Sequence, residues 1–405
     1  MRIPLNGDAP DRTVRRLALS TLLHTVGTGL VITLSAVYFT RIVGVSVGQL
    51  GLGMAVSAAA ALGAGIPLGK LAECRDPKRM LVALLLCQGL AIVLHVEVTT
   101  FIGFLGVTCL LAFVNEGANA VRSTLIANAI PPERRVRARA LLRTITNVGF
   151  AGGAVLAGVA LSGTDPHVYR LFLVVSACFF GLAAGVMACV PSARGSNREG
   201  NTGAWTVLRD RPYLAVAVTN AFLQMYYSVF EIAVPLWIAT RLNVPHSMIS
   251  VLFILNTGVI VALQMPIGAR FDRLAHAGRL CTAAGIGLAV ACLLIALSPD
   301  LTDWQASALL VMAGLIYSLA EVLHTTGSWT AGFELAPEVA QGQYQGVFTT
   351  GGSLSQLLGP VFVSFVILSN GASGWLLAAA SFGGAGLLMH AAIARATRAQ
   401  RHHVP

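Results

Sequence analysis

The chain has 405 residues, 56% of them hydrophobic and only 11% charged, where an ordinary soluble domain carries about 25% charged residues. That composition excludes a water-soluble globular enzyme. The formal net charge of +10 suggests nucleic acid in a soluble chain, but the basic residues cluster in the short connections between apolar runs, which excludes that partner.

Twelve apolar stretches follow one another, each long enough for the roughly 20 residues that cross about 30 Å of hydrocarbon. The first runs from Leu17 to Phe39, between Arg16 and Arg41. The others fall at 47–68, 80–99, 101–130, 140–162, 169–190, 213–240, 247–267, 280–298, 304–333, 345–368 and 374–394. Water cannot solvate helices that are apolar on nearly every face; lipid can, and a helix satisfies its own backbone there. The first stretch exceeds the apolar core of a cleaved signal peptide, and no small-residue cleavage site succeeds it. The expectation is an all-α membrane protein of twelve transmembrane helices in two pseudo-symmetric six-helix bundles. Its segments are a tail at 1–16, a bundle at 17–190, a polar linker at 191–211, a second bundle at 212–394 and a tail at 395–405. Short connections leave no room for a folded catalytic domain, so no enzyme activity is expected.

If successive loops alternate sides from a cytoplasmic N-terminus, 23 of the 27 Lys and Arg fall on one face. These include Lys70, Arg75, Lys78, Arg79, the group Arg134 to Arg143, Arg270, Arg273 and Arg395. Arg41, Arg170 and Arg241 fall on the other face, and Arg122 lies within a span. This asymmetry predicts a multi-pass protein of the cell inner (plasma) membrane with both termini in the cytoplasm. The basic loops are topology signals with a secondary attraction to lipid headgroups. The 7 cysteines are scattered, without disulfide or metal-ligand spacing. No metal and no cofactor are expected. No phosphate-binding Gly-rich loop ending in Lys-Ser/Thr appears, which argues against ATP as the energy source.

Polar groups recur inside the apolar spans at helical spacing. Span one carries His24 and Thr28, with Thr21 and Ser35 beside them; span four carries Asn115, Glu116, Asn119 and Arg122. Span seven carries Asn220, Gln224, Tyr227 and Glu231 at i, i+4, i+7 and i+11, and span ten repeats that spacing with Tyr317, Glu321, His324 and Ser328. Such residues share a helix face. A charge at the centre of a lipid-exposed helix costs about 2.5–3.5 kcal/mol even on the lenient scale. Glu116, Glu231 and Glu321 are therefore expected to face water, a partner or substrate. Glu116 with Asn119 and Arg122, and Glu321 with His324, are the proton-coupling candidates. His24, Thr28, Asn115, Asn119, Asn220, Gln224, Tyr227, Glu231 and Tyr317 are the substrate-cavity candidates. The alternative for each is packing: Glu116 and Arg122 paired to fix helices, the histidines hydrogen-bonded in place, the tyrosines part of the core. Arg143 and Asn147, one turn apart in span five, read as structural.

The two halves echo each other at an offset of 199 residues. Pro67-Leu68-Gly69 leads to Lys70-Leu71-Ala72-Glu73, and Pro266-Ile267-Gly268 leads to Ala269-Arg270-Phe271-Asp272. Spans five and eleven are both glycine-rich, with Gly149, Gly152, Gly153 and Gly158 against Gly346, Gly351, Gly352 and Gly359. Repeated six-span units recur in secondary transporters. On these residues the chain resembles the major facilitator superfamily. The stretch Gly69-Lys70-Leu71-Ala72-Glu73-Cys74-Arg75-Asp76-Pro77-Lys78-Arg79 is similar to that family's loop between spans two and three, with Glu73 for the usual Asp and Cys74 where Arg is common. Span five resembles the antiporter signature, with Ala154 in place of its proline. Ala112 and Phe113 stand where the drug antiporters carry an arginine. The resemblance implies a functional monomer that moves a small molecule by alternating access, with spans one, four, seven and ten lining the path. It points to the drug:proton antiporter branch, hence to proton-coupled efflux of small amphipathic compounds. It also implies a gating role for Gly69, Glu73, Arg75, Lys78 and Arg79 and for Gly268, Asp272 and Arg273. Transport of a polar metabolite such as a sugar is the alternative within transport, and a non-transporting membrane sensor the alternative outside it. An intramembrane enzyme would need a His-Glu-x-x-His or paired-aspartate constellation, which the sequence lacks.

Overall fold

The computed structural model describes residues 9–39, 43–161, 166–190, 206–245 and 247–403. Among them, 12 helices are long and apolar enough to span a membrane. They are α1 (Arg12–Ser35), α2 (Gln49–Cys74), α3 (Pro77–Val96), α4 (Phe101–Ala129), α5 (Pro132–Val159) and α6 (His167–Ala188). The second set is α7 (Arg211–Arg241), α8 (Ser247–Arg270), α9 (Leu274–Asp300), α10 (Asp303–Glu334), α11 (Glu338–Asn370) and α12 (Ala372–Gln400). The all-helical, twelve-span fold is the one expected. Residues 191–205 of the expected linker lie outside the described residues.

The chain forms two compact units, Met1–Ala204 with Pro337–Ser353, and Trp205–Ala336 with Leu354–Pro405. In the first, α1 packs on α5 and α6, α3 on α4 and α6, and α2 on α4. In the second, α7 and α9 pack on α12, and α8 and α9 on α10. The pairs α1–α6, α3–α6, α3–α4 and α2–α4 thus recur as α7–α12, α9–α12, α9–α10 and α8–α10, which is the internal repeat seen as packing.

Local chemistry sets the ends and breaks of these helices. Ser46 and Gln49 form a reciprocal capping box at the start of the helix entering α2, and Asp76 and Thr100 cap α3 and α4. Such side chains satisfy amides that have no partner within the helix. Within α2 the helix breaks between Leu62 and Gly65. Pro67 offers no N–H to the carbonyl one turn back, and the chain tightens through Gly63 N–H to Ala60 O (3.2 Å) and Ala64 N–H to Ala61 O (3.0 Å). The start of α5 differs from the expected 140: the helix begins at Pro132, with Glu133 in its first turn. Arginine is a good helix former, and proline suits a first helical position. Arg134, Arg135, Arg137 and Arg139 therefore belong to the first turns of a helix rather than to a connection.

Span seven departs from the simple period expected. Turns at Gln224 and Met225 and a π turn at Val229–Ala233 interrupt α7 just before Pro235. Each interruption rotates the next stretch of helix about the axis, so Asn220, Gln224, Tyr227 and Glu231 do not share one face. Asn220 is fully buried, Gln224 and Tyr227 are half-buried and Glu231 is exposed.

The second unit's core includes Trp237 and Trp375, with ring centroids 5.8 Å apart, and Trp237 Nε1–H donates to Ser298 Oγ at 3.2 Å. Gly285 on α9 and Gly386 on α12 meet backbone to backbone: a Cβ at Gly285 would stand 2.7 Å from both Gly386 Cα and Phe382 O. We expect Gly285→Leu to destabilise the purified protein by about 1–3 kcal/mol, the range for forced overpacking, seen as a lower melting temperature. Gly384→Leu, where nothing lies within 4 Å of the added carbon, should leave that temperature unchanged.

Candidate functional site

Each unit buries a connected set of polar side chains within its spans. In the first, His24 on α1 meets Gln88 on α3, with Nε2 3.0 Å from Gln88 Oε1. The amide oxygen can only accept, so His24 Nε2 carries the proton. Gln88 Nε2 then donates to Asn115 Oδ1 on α4 at 3.4 Å. The His24 ring sits edge-on to Phe180, centroids 5.0 Å apart. The structure thus brings two expected residues, His24 and Asn115, into one chain through Gln88. Thr28 turns its hydroxyl to the His24 carbonyl at 2.8 Å and is satisfied within its own helix.

On α4, Glu116 is 7% exposed, and its Oε1 has no hydrogen-bond partner. Its nearest polar neighbours are Ser353 and Thr349 on α11, Asn119 on its own helix and, at longer range, Arg139 on α5. Arg122 is 8% exposed; its Nη1 donates to Asn119 Oδ1 at 3.4 Å and its Nε has no partner. Among the described residues Glu116 and Arg122 do not form an ion pair. A six-residue separation puts them about 9 Å apart along the helix, so Arg139, from a neighbouring helix, is the arginine that acts on Glu116.

The expected gating residues of the first half are accounted for in detail. Glu73, at the end of α2, accepts from Gln343 N–H at 2.7 Å and from Gln343 Nε2 at 3.2 Å. The carboxylate thereby caps the start of α11, where backbone amides lack partners and the helix dipole is positive. Gly69 and Gly65 on α2 make this approach possible. A Cβ on Gly69 would collide with the Gly342 carbonyl, one on Gly342 with the Gly69 carbonyl, and one on Gly346 with the Gly65 carbonyl. Lys78 donates to the last carbonyls of the α6 segment, Ala188 at 3.2 Å and Val190 at 2.9 Å. Arg79 pairs at 3.7 Å with Asp76 on the surface, and Arg75 is exposed. The second copy of the loop is different: Gly268 is buried, Asp272 half-buried and Arg273 exposed, and among the described residues Asp272 has no partner comparable to Gln343.

Replacing Glu73 by alanine would leave the Gln343 amide uncapped. A hydrogen bond to a charged group contributes about 1.5–3 kcal/mol. The α2–α11 contact should therefore open about 10- to 150-fold more often, read as faster hydrogen exchange in the peptide containing Gln343. Unchanged exchange there would show that the carboxylate does not hold the contact.

In the second unit, Glu321 on α10 is 2% exposed and accepts from Asn256 Nδ2 on α8 at 3.0 Å, while Asn256 also donates to Ser318 Oγ at 3.1 Å. One and two turns on, Thr325 Oγ1 donates to Gln264 Oε1 (3.1 Å) and Gln264 Nε2 to Thr326 Oγ1 (3.4 Å). Neither ring nitrogen of His324 has a hydrogen-bond partner, and its ring lies 5.4 Å from Tyr226. Both amide atoms of Asn220 are likewise buried without partners. Tyr317 donates to the Tyr226 carbonyl at 3.1 Å and stacks on Phe230 at 4.5 Å, and Tyr227 lies against Tyr226. Ser328 donates to the Thr325 carbonyl.

Gln88, Asn256, Gln264 and Arg139 were not among the expected site residues. Gln88 is a lone amide in the apolar run Met80–Val96, and Asn256 and Gln264 lie eight residues apart in an apolar span. That polarity was visible, but attention to spans one, four, seven and ten passes over spans three and eight. Among the described residues no group of three or more His, Cys, Asp or Glu is placed to hold a metal.

Comparison with known proteins places this geometry. The family model described as Major Facilitator Superfamily matches residues 17–360. The uncharacterized MFS-type transporter MJ1560 of Methanocaldococcus jannaschii is 20% identical over 368 residues, covering 88% of this chain and 91% of that protein. Two solved structures share the fold. A bacterial homologue of the iron transporter ferroportin, in its outward-facing state, aligns with a TM-score of 0.73 at 13% identity over 95% of this chain and 99% of its own. The E. coli fucose:proton symporter FucP aligns with a TM-score of 0.72 at 14% identity over 95% and 99%.

Proposed function

The chain belongs to the major facilitator superfamily, and on that premise we propose that it is a proton-coupled secondary transporter working by alternating access, exporting small amphipathic compounds across the cell inner membrane. The observation that carries the reading is Glu116, a carboxyl almost wholly buried in a span, with one oxygen lacking a partner and hydroxyls and an amide around it. An intramembrane acid marks a substrate or ion pathway. Glu321, held by Asn256 beside His324, is the second proton site. Both termini face the cytoplasm, and the α2–α11 seam lies toward the side of the basic loops. The glycines and Glu73 act there as a closure that opens and reseals in each cycle. The protein acts as a monomer.

A second reading, transport of a polar metabolite, draws support from the amide chain His24–Gln88–Asn115, since paired amides and imidazoles suit hydroxylated cargo. The test is quenching of an imposed pH gradient in vesicles that hold the purified protein, with a panel of sugars and of amphipathic compounds. Quenching by the amphipathic compounds favours export of drug-like cargo, quenching by sugars the second reading. No quenching by any member contradicts both.

A further inference from the structure

The first unit gathers arginines on two neighbouring spans. Arg122 projects from α4, and Arg139, Arg143 and Asn147 stand at i, i+4 and i+8 on α5, on one helix face. Arg139 feels both Arg122 and Arg143, with Glu116 as an opposing charge, and the field of Arg122 reaches His24. Guanidinium groups keep their protons in proteins. Arg122 is buried and Arg139 and Arg143 are half-buried, and like charges held near one another repel more where water screens them less. Independently, Arg122 is more than nine-tenths buried, and its Nε, in that cluster, has no acceptor.

We propose that Arg122, Arg139 and Arg143 form the binding site for the anionic head, carboxylate or phosphate, of an amphipathic organic anion. This inference rests on the transporter reading for its cargo. A planar guanidinium presents paired donors that match carboxylate and phosphate oxygens, which a lysine would not. An incoming anion supplies the acceptor that Arg122 Nε lacks. Asn119, bonded to Arg122 Nη1, holds that guanidinium in place.

The test measures the local potential directly in the full-length protein. Asn115→Cys, at an exposed position one turn before Asn119, is treated with a sulfonatoethyl or a trimethylammonium-ethyl methanethiosulfonate. Modification at the chosen site is tracked by peptide mass spectrometry, and rates are scaled to those of free cysteine. We expect the anionic reagent to be favoured at least tenfold. The preference should fall toward unity in Arg122→Gln and in Arg143→Gln but persist in Arg122→Lys, which keeps the charge and serves as the check on folding. Benzoate or phenyl phosphate should slow the reaction, while benzamide and benzamidine, of the same shape but neutral or cationic, should not. Protection by phenyl phosphate alone assigns a phosphate head, and by benzoate alone a carboxylate. A preference no greater than that of free cysteine, a preference indifferent to the arginines, or no reaction at this position overturns the site. Transport of benzamidine together with such a result would sink the site and leave the transporter reading intact. No transport of any compound, with the anion preference present, would do the reverse.

Discussion

Gly342→Val should reduce transport about 5- to 150-fold at equal protein in the membrane, the effect of about 1–3 kcal/mol of overpacking at the contact proposed above to close in each cycle. The residue faces the Gly69 backbone and the Glu73 side chain, and Gly69 faces the Gly342 backbone in return. Backbone cannot swing aside as a flexible side chain can. A valine would drive α2 and the start of α11 apart and pull Gln343 away from the Glu73 carboxylate that caps it. Gly69→Val should behave alike. The double variant should add little, because either substitution alone already separates the same surfaces. Gly185→Val on α6, where an added carbon has nothing within 4 Å, provides the control and should transport normally. Normal initial rates in the Gly342→Val protein would show that the glycine contact has no part in the cycle.

The second large effect is expected from Glu116→Gln. Glutamine keeps the shape and some hydrogen bonding to Ser353, Thr349 and Asn119, but it cannot exchange a proton in the working range. Accumulation driven by a pH gradient should fall at least tenfold, the factor that about 1.4 kcal/mol of lost coupling gives. Exchange of labelled for unlabelled substrate at equal pH should continue, because it needs no net proton movement. Both activities lost together would assign Glu116 to substrate binding or folding, and both retained would remove it from the pathway. The same pair of measurements on Glu321→Gln ranks the two acids, and Asn256→Leu tests whether the amide that holds Glu321 matters through that acid.

The fold was legible because bilayer thickness imposes a length on every span, and twelve apolar runs carried that length without a motif. The same rule, that a polar group in a span must find shelter from lipid, fits the burial of Glu116, Glu321 and His324 but not Glu231, which is exposed. Partners were harder to read, because they come from helices distant in sequence. Nothing local links Glu73 to Gln343, or Gln88 to both His24 and Asn115, and only packing brings them together. Two local features were not read from the sequence. Pro235 implies a missing amide hydrogen bond, yet its π turn, which turns Glu231 away from the face of Asn220, was not anticipated. The run Arg134 to Arg139 read as a connection before a span starting at 140, because hydropathy counts charge and not helix propensity, and α5 in fact starts at Pro132.

The central claim is that proton movement and solute movement are one event in this protein. Vesicles holding only the purified protein and a trapped pH dye, with equal pH on both sides, can be given an outward gradient of a transported compound. The account predicts that the lumen pH shifts as the compound leaves, in wild-type vesicles and not in Glu116→Gln vesicles. A compound that leaves while the lumen pH stays flat would contradict it.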